Sequence, residues 1–593
     1  MRKGLRSLVA VALVAAALIG CARVPDSGPA VPVAIPGASQ DTDSTVTSVN
    51  AQLPRPGADE SESVSAYVNA LVTTRNPGPL GDRYLATAAL RNTFRQNPSM
   101  VVIRDRTLKS SADPPTANAT TAKFSAQLIG TVDSDGVFAA AANPMWQAQA
   151  RMTLVNGVWL FAEPPPLIVS DTQFDFSFTQ KTVYYAARPS TITGPNPRLV
   201  IPEIRWVNGD IGDQTTQIVD FLLAGPSGAM SRVALNPLPN IKRTSRVTLQ
   251  EGDLIIELEP QAEAASKEDL NAFVAEVGWS LDGAFSGAVR LRVGGRPLDV
   301  PGFEPVQDLS SWRRYNPAVG ERRLPTFQVQ NGALKVLSDP GQIGPRPNRL
   351  TTPVLSKNVR SAAISIDLSR IAVVRDLPAG GQRLWIADAS GTLQPTLRAP
   401  SIGRPSWGGN VSTVLVPVGG RLFTVGVGNA GAPTEIQVIG PGGRRLRNVS
   451  SVRLAVDGVR ALLVAGSGSA ATVYLATLSG ALGGAPVLSA RPLALPGVPL
   501  DVSWFGPLSA VVAVADQGGR VALVFAPVDG SMTEQQSTVP NAGGAVRVSG
   551  DPTGAPSGAP VLLEVDGKRY VVTKDGSSSD VAVAAATAPF YPG

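Results

Sequence analysis

The residue types present in this chain limit the chemistry that it can perform. Its 593 residues include no histidine and a single cysteine, Cys21. A Ser-His-Asp triad, a Cys-His pair and a zinc site built on imidazoles or several thiolates are therefore excluded, as is a disulfide within the chain. Catalysis would need carboxylates, a lysine, or a metal held by oxygen ligands. No residue stands out as a general acid or base, so we expect no catalytic residue, no metal and no cofactor.

The single cysteine ends an export signal. Residues 1–20 carry a basic head followed by an apolar stretch from Leu8 to Ile19, which is shorter than the ~20 residues of a membrane span. The string Leu18-Ile19-Gly20-Cys21 matches the lipobox of bacterial lipoproteins. We predict cleavage between Gly20 and Cys21, and an N-palmitoyl, S-diacylglycerol Cys21 that anchors the chain to the extracytoplasmic face of the cell membrane by lipid alone. The alternative is a plain signal peptide with a chance cysteine.

Composition and charge describe a multidomain globular protein. Hydrophobic residues make up 43% of the chain, and Gly (59) and Pro (51) are frequent, which is typical of many turns joining short strands. Arg2, Lys3 and Arg6 would leave with the signal, so the net charge would fall from +6 to +3. The remaining basic residues are scattered, so we expect no nucleic-acid partner.

Residues 21–56 are rich in Pro, Ser, Thr and Asp and are predicted to form a flexible stalk. Residues 57–171 are predicted to form an α+β domain. Val64, Tyr67 and Leu71 recur at helical spacing after a cap formed by Asp59 with Glu62, and a short helix follows near residues 84–94. Strands at Phe124–Thr131 and Met152–Phe161, the latter turning at Asn156-Gly157, predict a curled antiparallel sheet. We expect this domain to be a packing module.

Residues 172–312 show clearer marks of a second α+β domain. Thr182-Val183-Tyr184-Tyr185 and Leu199-Val200-Ile201-Pro202 are strand-like, and a helix is predicted to end at Gly225-Pro226. A hairpin turns at Glu251-Gly252-Asp253, and Ser266 with Asp269 is predicted to cap a second helix. The domain resembles the GerMN domain, a module of extracytoplasmic proteins. The resemblance rests on the two strand-like strings, on Leu222-Leu223-Ala224-Gly225-Pro226 and on the closing strand Val289-Arg290-Leu291-Arg292-Val293. The resemblance implies binding and no catalysis.

Residues 325–593 are predicted to be almost entirely strands. Apolar runs such as Ala461–Val464 and Ala510–Val514 alternate with turns at Asp457-Gly458, Asp529-Gly530 and Asp566-Gly567. A loose repeat includes Pro405-Ser406-Trp407, echoed by Val502-Ser503-Trp504. Its spacing of roughly 40 to 50 residues is typical of four-stranded blades. We therefore predict a β-propeller of around six blades, with a large β-sandwich as the alternative.

Three other patterns could carry chemistry. Gly426–Gly431 matches the G-x-G-x-x-G fingerprint and Gly466–Ala471 comes close, but strand-like segments follow both, so they are interpreted as turns. Trp385, Trp407 and Trp504 could form a sugar-binding face, although blade packing is the favoured interpretation. Glu257 and Glu259 lie on one strand face, which a solvated edge explains.

The order of lipobox, stalk, α+β domain, GerMN-like domain and propeller-like domain resembles the LpqB lipoproteins of mycobacteria and related actinobacteria. This resemblance implies an accessory to the MtrA–MtrB two-component system that contacts the extracytoplasmic domain of the sensor histidine kinase and tunes cell-wall homeostasis and cell division. Cys21 is the only functional residue that it transfers. A protein that binds a glycan or peptide of the cell wall is the second hypothesis. A hydrolase with clustered carboxylates in the propeller channel is the third.

Overall fold

The computed structural model describes residues 53–72, 81–96, 99–141, 143–189, 198–315, 324–338, 355, 357–387, 392–408, 412–427, 432–480, 486–516, 518–531, 533–540, 544–554, 559–573, 578–581 and 587–593. The predicted signal, with Gly20 and Cys21, and the predicted stalk as far as residue 52 lie outside the described residues. Within the described ranges, no helix is long and apolar enough to cross a membrane.

The first domain has α+β structure, as predicted. Its helices are α1 (Glu60–Val72), α2 (Ala88–Gln96) and α3 (Asp171–Ser177), with a 3₁₀ turn at Asp82–Tyr84. Its strands are β1 (Met100–Ile103), β2 (Lys109–Ala112), β3 (Ala119–Val132), β4 (Phe138–Ala140), β5 (Met145–Val155), β6 (Val158–Phe161) and β7 (Leu167–Ser170). They form one sheet in the order β6-β5-β3-β1-β7, with β2 and β4 also on β3.

Local signals in this domain are confirmed, but one strand pairing differs from the prediction. The Glu62 N–H donates to Asp59 Oδ1 (2.6 Å), which is the predicted cap. Asn156 (φ 50°) and Gly157 (φ 77°) turn the β5–β6 hairpin. The predicted strands pair antiparallel, as β3, β5 and β6, but the sheet also contains β7, which was not predicted and which runs parallel to β1. Strands β2 to β6 lie between β1 and β7 in the sequence. Strand β7 then pairs with the free edge of β1 and runs in the same direction as β1.

The second domain is built from two sheets and two long helices. Strands β8 (Phe178–Ala186) and β9 (Val200–Asn208) form an antiparallel pair. The other sheet has the order β10-β11-β12-β13, with β14 also on β12. Its strands are β10 (Thr248–Gln250), β11 (Asp253–Leu258), β12 (Val289–Val293), β13 (Arg296–Pro297) and β14 (Val306–Gln307). The helices are α4 (Ile211–Ala224), α5 (Lys267–Ser280) and the short α6 (Leu309–Trp312), with a 3₁₀ turn at Pro260–Ala264.

The predicted helix ends in this domain are confirmed. Gly225 follows α4 with a φ of 93°, a conformation that glycine adopts without a steric penalty. The Asp269 N–H donates to Ser266 Oγ (3.1 Å) at the start of α5. Helix α5 packs against β8, and the buried Leu270, Phe273 and Val277 belong to the core of this domain.

The C-terminal domain consists of strands, as predicted. Its first sheet contains β15 (Thr326–Gln330), β16 (Ala333–Ser338) and the last strand, β37 (Thr587–Phe590). The next two sheets are β17 (Val359–Ile364), β18 (Ile371–Asp376), β19 (Gln382–Ala387) and β20 (Leu393–Ala399), then β21 (Ser406–Trp407), β22 (Thr413–Val418), β23 (Arg421–Gly426) and β24 (Thr434–Ile439). The fourth is β25 (Val449–Leu454), β26 (Arg460–Ala465), β27 (Thr472–Ser479) and β28 (Val487–Leu493). The last two are β29 (Val498–Trp504), β30 (Ser509–Ala515), β31 (Arg520–Pro527) and β32 (Glu534–Pro540), then β33 (Val546–Ser549), β34 (Val561–Val565), β35 (Lys568–Val572) and β36 (Ser578–Val581).

These sheets follow one another as the blades of a propeller. Strands β17, β21, β25, β29, β33 and β37 contact one another in turn, and β15 contacts β17. The ring closes because the C-terminal strand β37 pairs with β15, with Phe327 opposite Phe590. The propeller-like fold is therefore confirmed, and the described residues form six blades in place of the two packed sheets of a sandwich. The third and fourth blades are also joined along their outer strands, where β24 pairs in parallel with β28.

Candidate functional site

A cleft of about 710 Å³ lies where the three domains meet. One wall is the β3–β4 turn of the first domain, residues 133–139, and a second wall comes from β9 and the loop after α4, residues 202–205 and 224–232. The third wall belongs to the propeller, including residues 439–443 and 487–491. The volume falls within the roughly 300–1,000 Å³ of typical small-ligand pockets.

Arg205 on β9 holds the base of this cleft. Its side chain is 1% exposed and pairs with Glu203 (2.9 Å). It donates to the backbone oxygens of Asp135 in the first domain (2.8 Å) and of Gly225 after α4 (3.2 Å). Burial alone would lower the pKa of Arg205, but Glu203 and the surrounding oxygens outweigh it, and the net effect raises the pKa. The two terminal nitrogens of Arg205 thus join two domains, while its buried Nε has no hydrogen-bond partner among the described residues.

The next residue, Trp206, joins all three domains. Its indole Nε1–H donates to Asp529 Oδ2 in the propeller (2.9 Å), and its backbone N–H donates to the oxygen of Gly136 in the first domain (2.8 Å). The ring packs 4.6 Å from that of Phe174, measured between centroids. Gly136 has a φ of 71°, and a Cβ there would lie 2.6 Å from the Trp206 oxygen. Only glycine allows this close approach of the two chains.

An apolar core runs across the same junction. Buried side chains of the first domain, Ile204 and Trp206 of β9, and buried residues of the fourth and fifth blades belong to one continuous cluster. The Thr477 hydroxyl also donates to the Ala229 oxygen (3.5 Å), which links the propeller to the second domain. The three domains therefore share packing and hydrogen bonds, and the cleft has fixed walls.

The cleft carries charges of both signs. Burial and the nearby Asp133 raise the pKa of Asp135, while Arg205 lowers it. Asp133 stabilises the turn in which it lies, because its carboxylate accepts hydrogen bonds from the N–H groups of Asp135 (3.0 Å) and Val137 (2.9 Å). Arg491 donates to the Val528 oxygen, and Arg232 is an exposed guanidinium on the cleft wall. This arrangement can bind a polar, mixed-charge segment, and the described lining contains no lysine, cysteine or histidine to act as a nucleophile or base.

The repeated Ser-Trp string joins neighbouring blades. Ser406 Oγ accepts from the Leu454 N–H (2.9 Å) of the following blade, while the Trp407 indole donates to the Ala363 oxygen (3.2 Å) of the preceding one. Ser503 accepts from the Gly550 N–H (3.1 Å), and Trp504 donates to the Arg453 oxygen (2.9 Å), in the same two directions. Trp407 and Trp504 are 1% and 2% exposed, which confirms blade packing for this pair and leaves no indole face for a sugar.

The other sequence patterns also have structural roles. Strand β24 follows the Gly426 string, of which residues 428–431 lie outside the described residues. The Gly466 string contains a 3₁₀ turn at Gly468–Ala470 and is followed by strand β27, so no α-helix begins there. Glu257 accepts from the Gly295 N–H, and Glu259 accepts from the Lys242 N–H (3.0 Å). Trp385 is half-buried, with the Arg375 guanidinium 5.9 Å from its ring centroid. No group of three or more acidic or cysteine side chains in the described ranges could hold a metal ion.

The sequence prediction missed the residues that form the cleft. Asp529 was recognised only as a turn residue, and no sequence pattern singled out Arg205 or Trp206. One signal was present, because Glu203 and Arg205, two positions apart and of opposite charge, interrupt the mostly apolar strand Val200–Asn208. A charged residue in such a strand is buried only when it is paired, so a structural or functional partner could have been sought.

Comparison with known proteins finds three matching regions in the order of the three domains. Residues 53–175 match the family described as "Lipoprotein LpqB, N-terminal domain". Residues 182–299 match "Sporulation and spore germination", and residues 346–560 match "Lipoprotein LpqB beta-propeller domain".

Full-length relatives agree with these matches. Lipoprotein LpqB of Nocardia farcinica is 26% identical over 567 residues, which cover 90% of this chain and 89% of the relative. Lipoprotein LpqB of Rhodococcus opacus is 25% identical over 572 residues, covering 89% of each chain. Among solved structures, the tandem GerMN domains of GerM from Bacillus subtilis match with 20% identity over 23% of this chain and 46% of that chain, at a TM-score of 0.19. The two LpqB-specific domains on either side of a GerMN-type domain, and relatives aligned along most of the chain, show that this protein belongs to the LpqB family of actinobacterial lipoproteins.

Proposed function

We propose that this protein is a lipid-anchored accessory protein that modulates a two-component sensor kinase of the MtrA–MtrB type, and so influences cell-wall homeostasis and cell division. The anchor is Cys21, the protein lies on the extracytoplasmic face of the cell membrane, and its partner is the extracytoplasmic domain of the kinase. In this proposal the protein binds and does not catalyse. The lipobox and the relatives' common name, lipoprotein, support the anchor.

The cleft at the junction of the three domains is the observation that carries this proposal. A segment of the kinase that enters it would contact all three domains at once, at residues 133–139, 225–232 and 440–443. The mixture of Asp133, Asp135, Arg232 and Arg491 suits a segment with both charges and free backbone groups. The cleft walls are held by the Arg205 and Trp206 contacts, so little ordering is required on binding.

Attachment of both partners to one membrane supports regulation through a weak interface. Two proteins confined to the same membrane surface meet at an effective concentration far above their average concentration. The stalk predicted for residues 21–56 would give the folded domains enough reach to meet the kinase domain. A modest intrinsic affinity at the cleft is then sufficient.

The test is a binding assay of the full chain in detergent against the kinase's extracytoplasmic domain and, separately, against purified cell wall. We expect retention by the kinase domain. The variant Arg232→Glu reverses an exposed charge on the cleft wall and should weaken this binding by about tenfold or more. Arg398→Glu makes the same change on the exposed strand β20 and should bind like the wild type. Retention by cell wall alone would contradict the proposal.

That second outcome corresponds to an alternative function, a binding protein for a cell-wall glycan or peptide with no direct role in signalling. The cleft volume supports this alternative function, because about 710 Å³ is enough to hold a small polar ligand. The buried Trp407 and Trp504 do not contribute to it, because their indole groups serve contacts between blades.

A further inference from the structure

Basic side chains are concentrated at the axis of the propeller. The first strands of successive blades contact one another around the ring and therefore surround its centre. Arg360 lies on β17, Arg453 on β25 and Arg547 on β33, while Arg404 lies two residues before β21. We call these four side chains the axial arginines.

Two carboxylates lie among the axial arginines, and both already have partners. Asp501 on β29 pairs with Arg453 (3.5 Å) and also accepts from Ser451 Oγ (2.7 Å) and the Val548 N–H (3.0 Å). Glu564 on β34 lies 3.8 Å from Arg547. Four guanidinium groups thus share two carboxylates within the part of the chain that the structure describes, which leaves an excess of two positive charges.

Arg404 carries much of this excess. It makes no hydrogen bond or ion pair with a described residue, and its guanidinium lies 5.2 Å from the centroid of the Phe590 ring. Burial and then the neighbouring Arg453 and Arg547 lower the pKa of Arg404 well below its ordinary value. A guanidinium does not lose its proton in a protein, so the charge stays, and the half-buried position of Arg404 makes that charge costly in free energy. Among the described residues, the buried Nε of Arg453 also lacks a hydrogen-bond partner.

We propose that the axial arginines bind a doubly charged oxyanion, a phosphate or a phosphate monoester, between Arg404, Arg453 and Arg547. Planar guanidinium groups match the oxygen geometry of phosphate and donate two hydrogen bonds at once. A dianion would neutralise the excess charge and supply acceptors for the unpaired donors. The site is separate from the three-domain cleft and does not depend on the role proposed for it.

The test compares thermal unfolding of the full chain in detergent in sodium chloride, in inorganic phosphate and in glucose 1-phosphate, all at equal ionic strength. The wild type should show a saturable rise of Tm in phosphate above that in chloride. A similar rise with glucose 1-phosphate assigns the site to monoesters as well, and a rise with inorganic phosphate alone assigns it to the free ion. No difference between phosphate and chloride in the wild type overturns the proposal.

The variant Arg404→Gln tests whether the axial arginines cause the response to phosphate. In chloride it should unfold at the same or a higher temperature than the wild type, because a half-buried charge with no ion-pair partner among the described residues is removed. The Kd for phosphate should rise by about tenfold or more. Arg398→Gln, on the exposed strand β20, should keep the wild-type response, and Arg547→Gln gives a second reading if Arg404→Gln does not fold. An unchanged phosphate response in both axial variants overturns the proposal.

Discussion

Arg205 and Glu203 form a buried ion pair whose contribution to the free energy of unfolding depends on both partners being present. Removing only the arginine leaves the Glu203 carboxylate, 11% exposed, without its countercharge. Arg205→Met should therefore lower the free energy of unfolding by about 3–5 kcal/mol. The double variant Arg205→Met/Glu203→Gln should recover much of this loss, because no buried charge remains. Chemical unfolding of the three proteins measures both changes, and an equal loss in the double variant would contradict the charge explanation.

Glu276 on α5 introduces a pH dependence. Its side chain is fully buried, its Oε1 accepts from the Ala186 N–H (2.8 Å), and its Oε2 has no hydrogen-bond partner in the described part of the chain. Burial raises its pKa well above the ordinary 4.5. The folded state therefore holds a proton that the unfolded chain releases above pH 4.5. The free energy of unfolding therefore decreases as the pH rises above that value. The decrease is up to about 1.4 kcal/mol per pH unit until the pH reaches the folded-state pKa.

Glu276→Gln removes this titration and keeps an acceptor for Ala186. We expect the variant to gain stability over the wild type as the pH rises from 5 to 8, measured by urea unfolding at several pH values. The exposed Glu263 provides the control, and Glu263→Gln should run parallel to the wild type. A constant difference between Glu276→Gln and the wild type over this pH range would show that Glu276 does not titrate as described.

At the scale of the elements, the Ser-Trp string holds neighbouring blades together. Trp407→Phe and Trp504→Phe keep most of the buried ring area but leave the Ala363 and Arg453 oxygens without their donors. Each should cost about 1–3 kcal/mol in unfolding free energy. Trp385 offers a matched control, because its indole N–H has no hydrogen-bond partner within the described ranges. Trp385→Phe should cost clearly less in the same thermal or chemical unfolding experiment, and equal costs would argue against the role of the hydrogen bond.

Elements with local signals were predictable from the sequence, and elements defined by distant partners were not. The Asn156-Gly157 hairpin, the Ser266 cap of α5 and the end of α4 at Gly225 follow from steric preferences and short-range hydrogen bonds. The parallel pairing of β1 with β7 and the closure of the ring by β37 join residues far apart in the sequence. No local pattern encodes those choices.

The same distinction applies to the cleft. Trp206 and Asp529 are 323 positions apart, and their contact depends on how three domains pack. The Ser-Trp repeat was visible because the blades repeat at a regular spacing, although its role in joining blades needed the hydrogen-bond directions. Arg205 could be recognised only as one of two charged residues, with Glu203, in a mostly apolar strand.

At the scale of the whole molecule, we expect function to depend on the membrane attachment proposed for Cys21. Cys21→Ala removes the thiol that would carry the diacylglycerol, while the described domains begin more than thirty residues later. We expect signalling by the kinase to be lost while the Tm of the protein is unchanged. Membrane fractionation of the cells together with a kinase reporter measures this. Full activity from an unanchored, secreted protein would contradict the attachment mechanism.

The central claim is that a partner segment binds where the three domains meet, and hydrogen–deuterium exchange tests it most directly. The full chain in detergent is compared with and without the kinase's extracytoplasmic domain. The account predicts slower exchange in three separate segments at once, residues 133–139, 225–232 and 440–443, which line the cleft. Unchanged exchange in these segments, with protection confined to a single domain elsewhere, would contradict it.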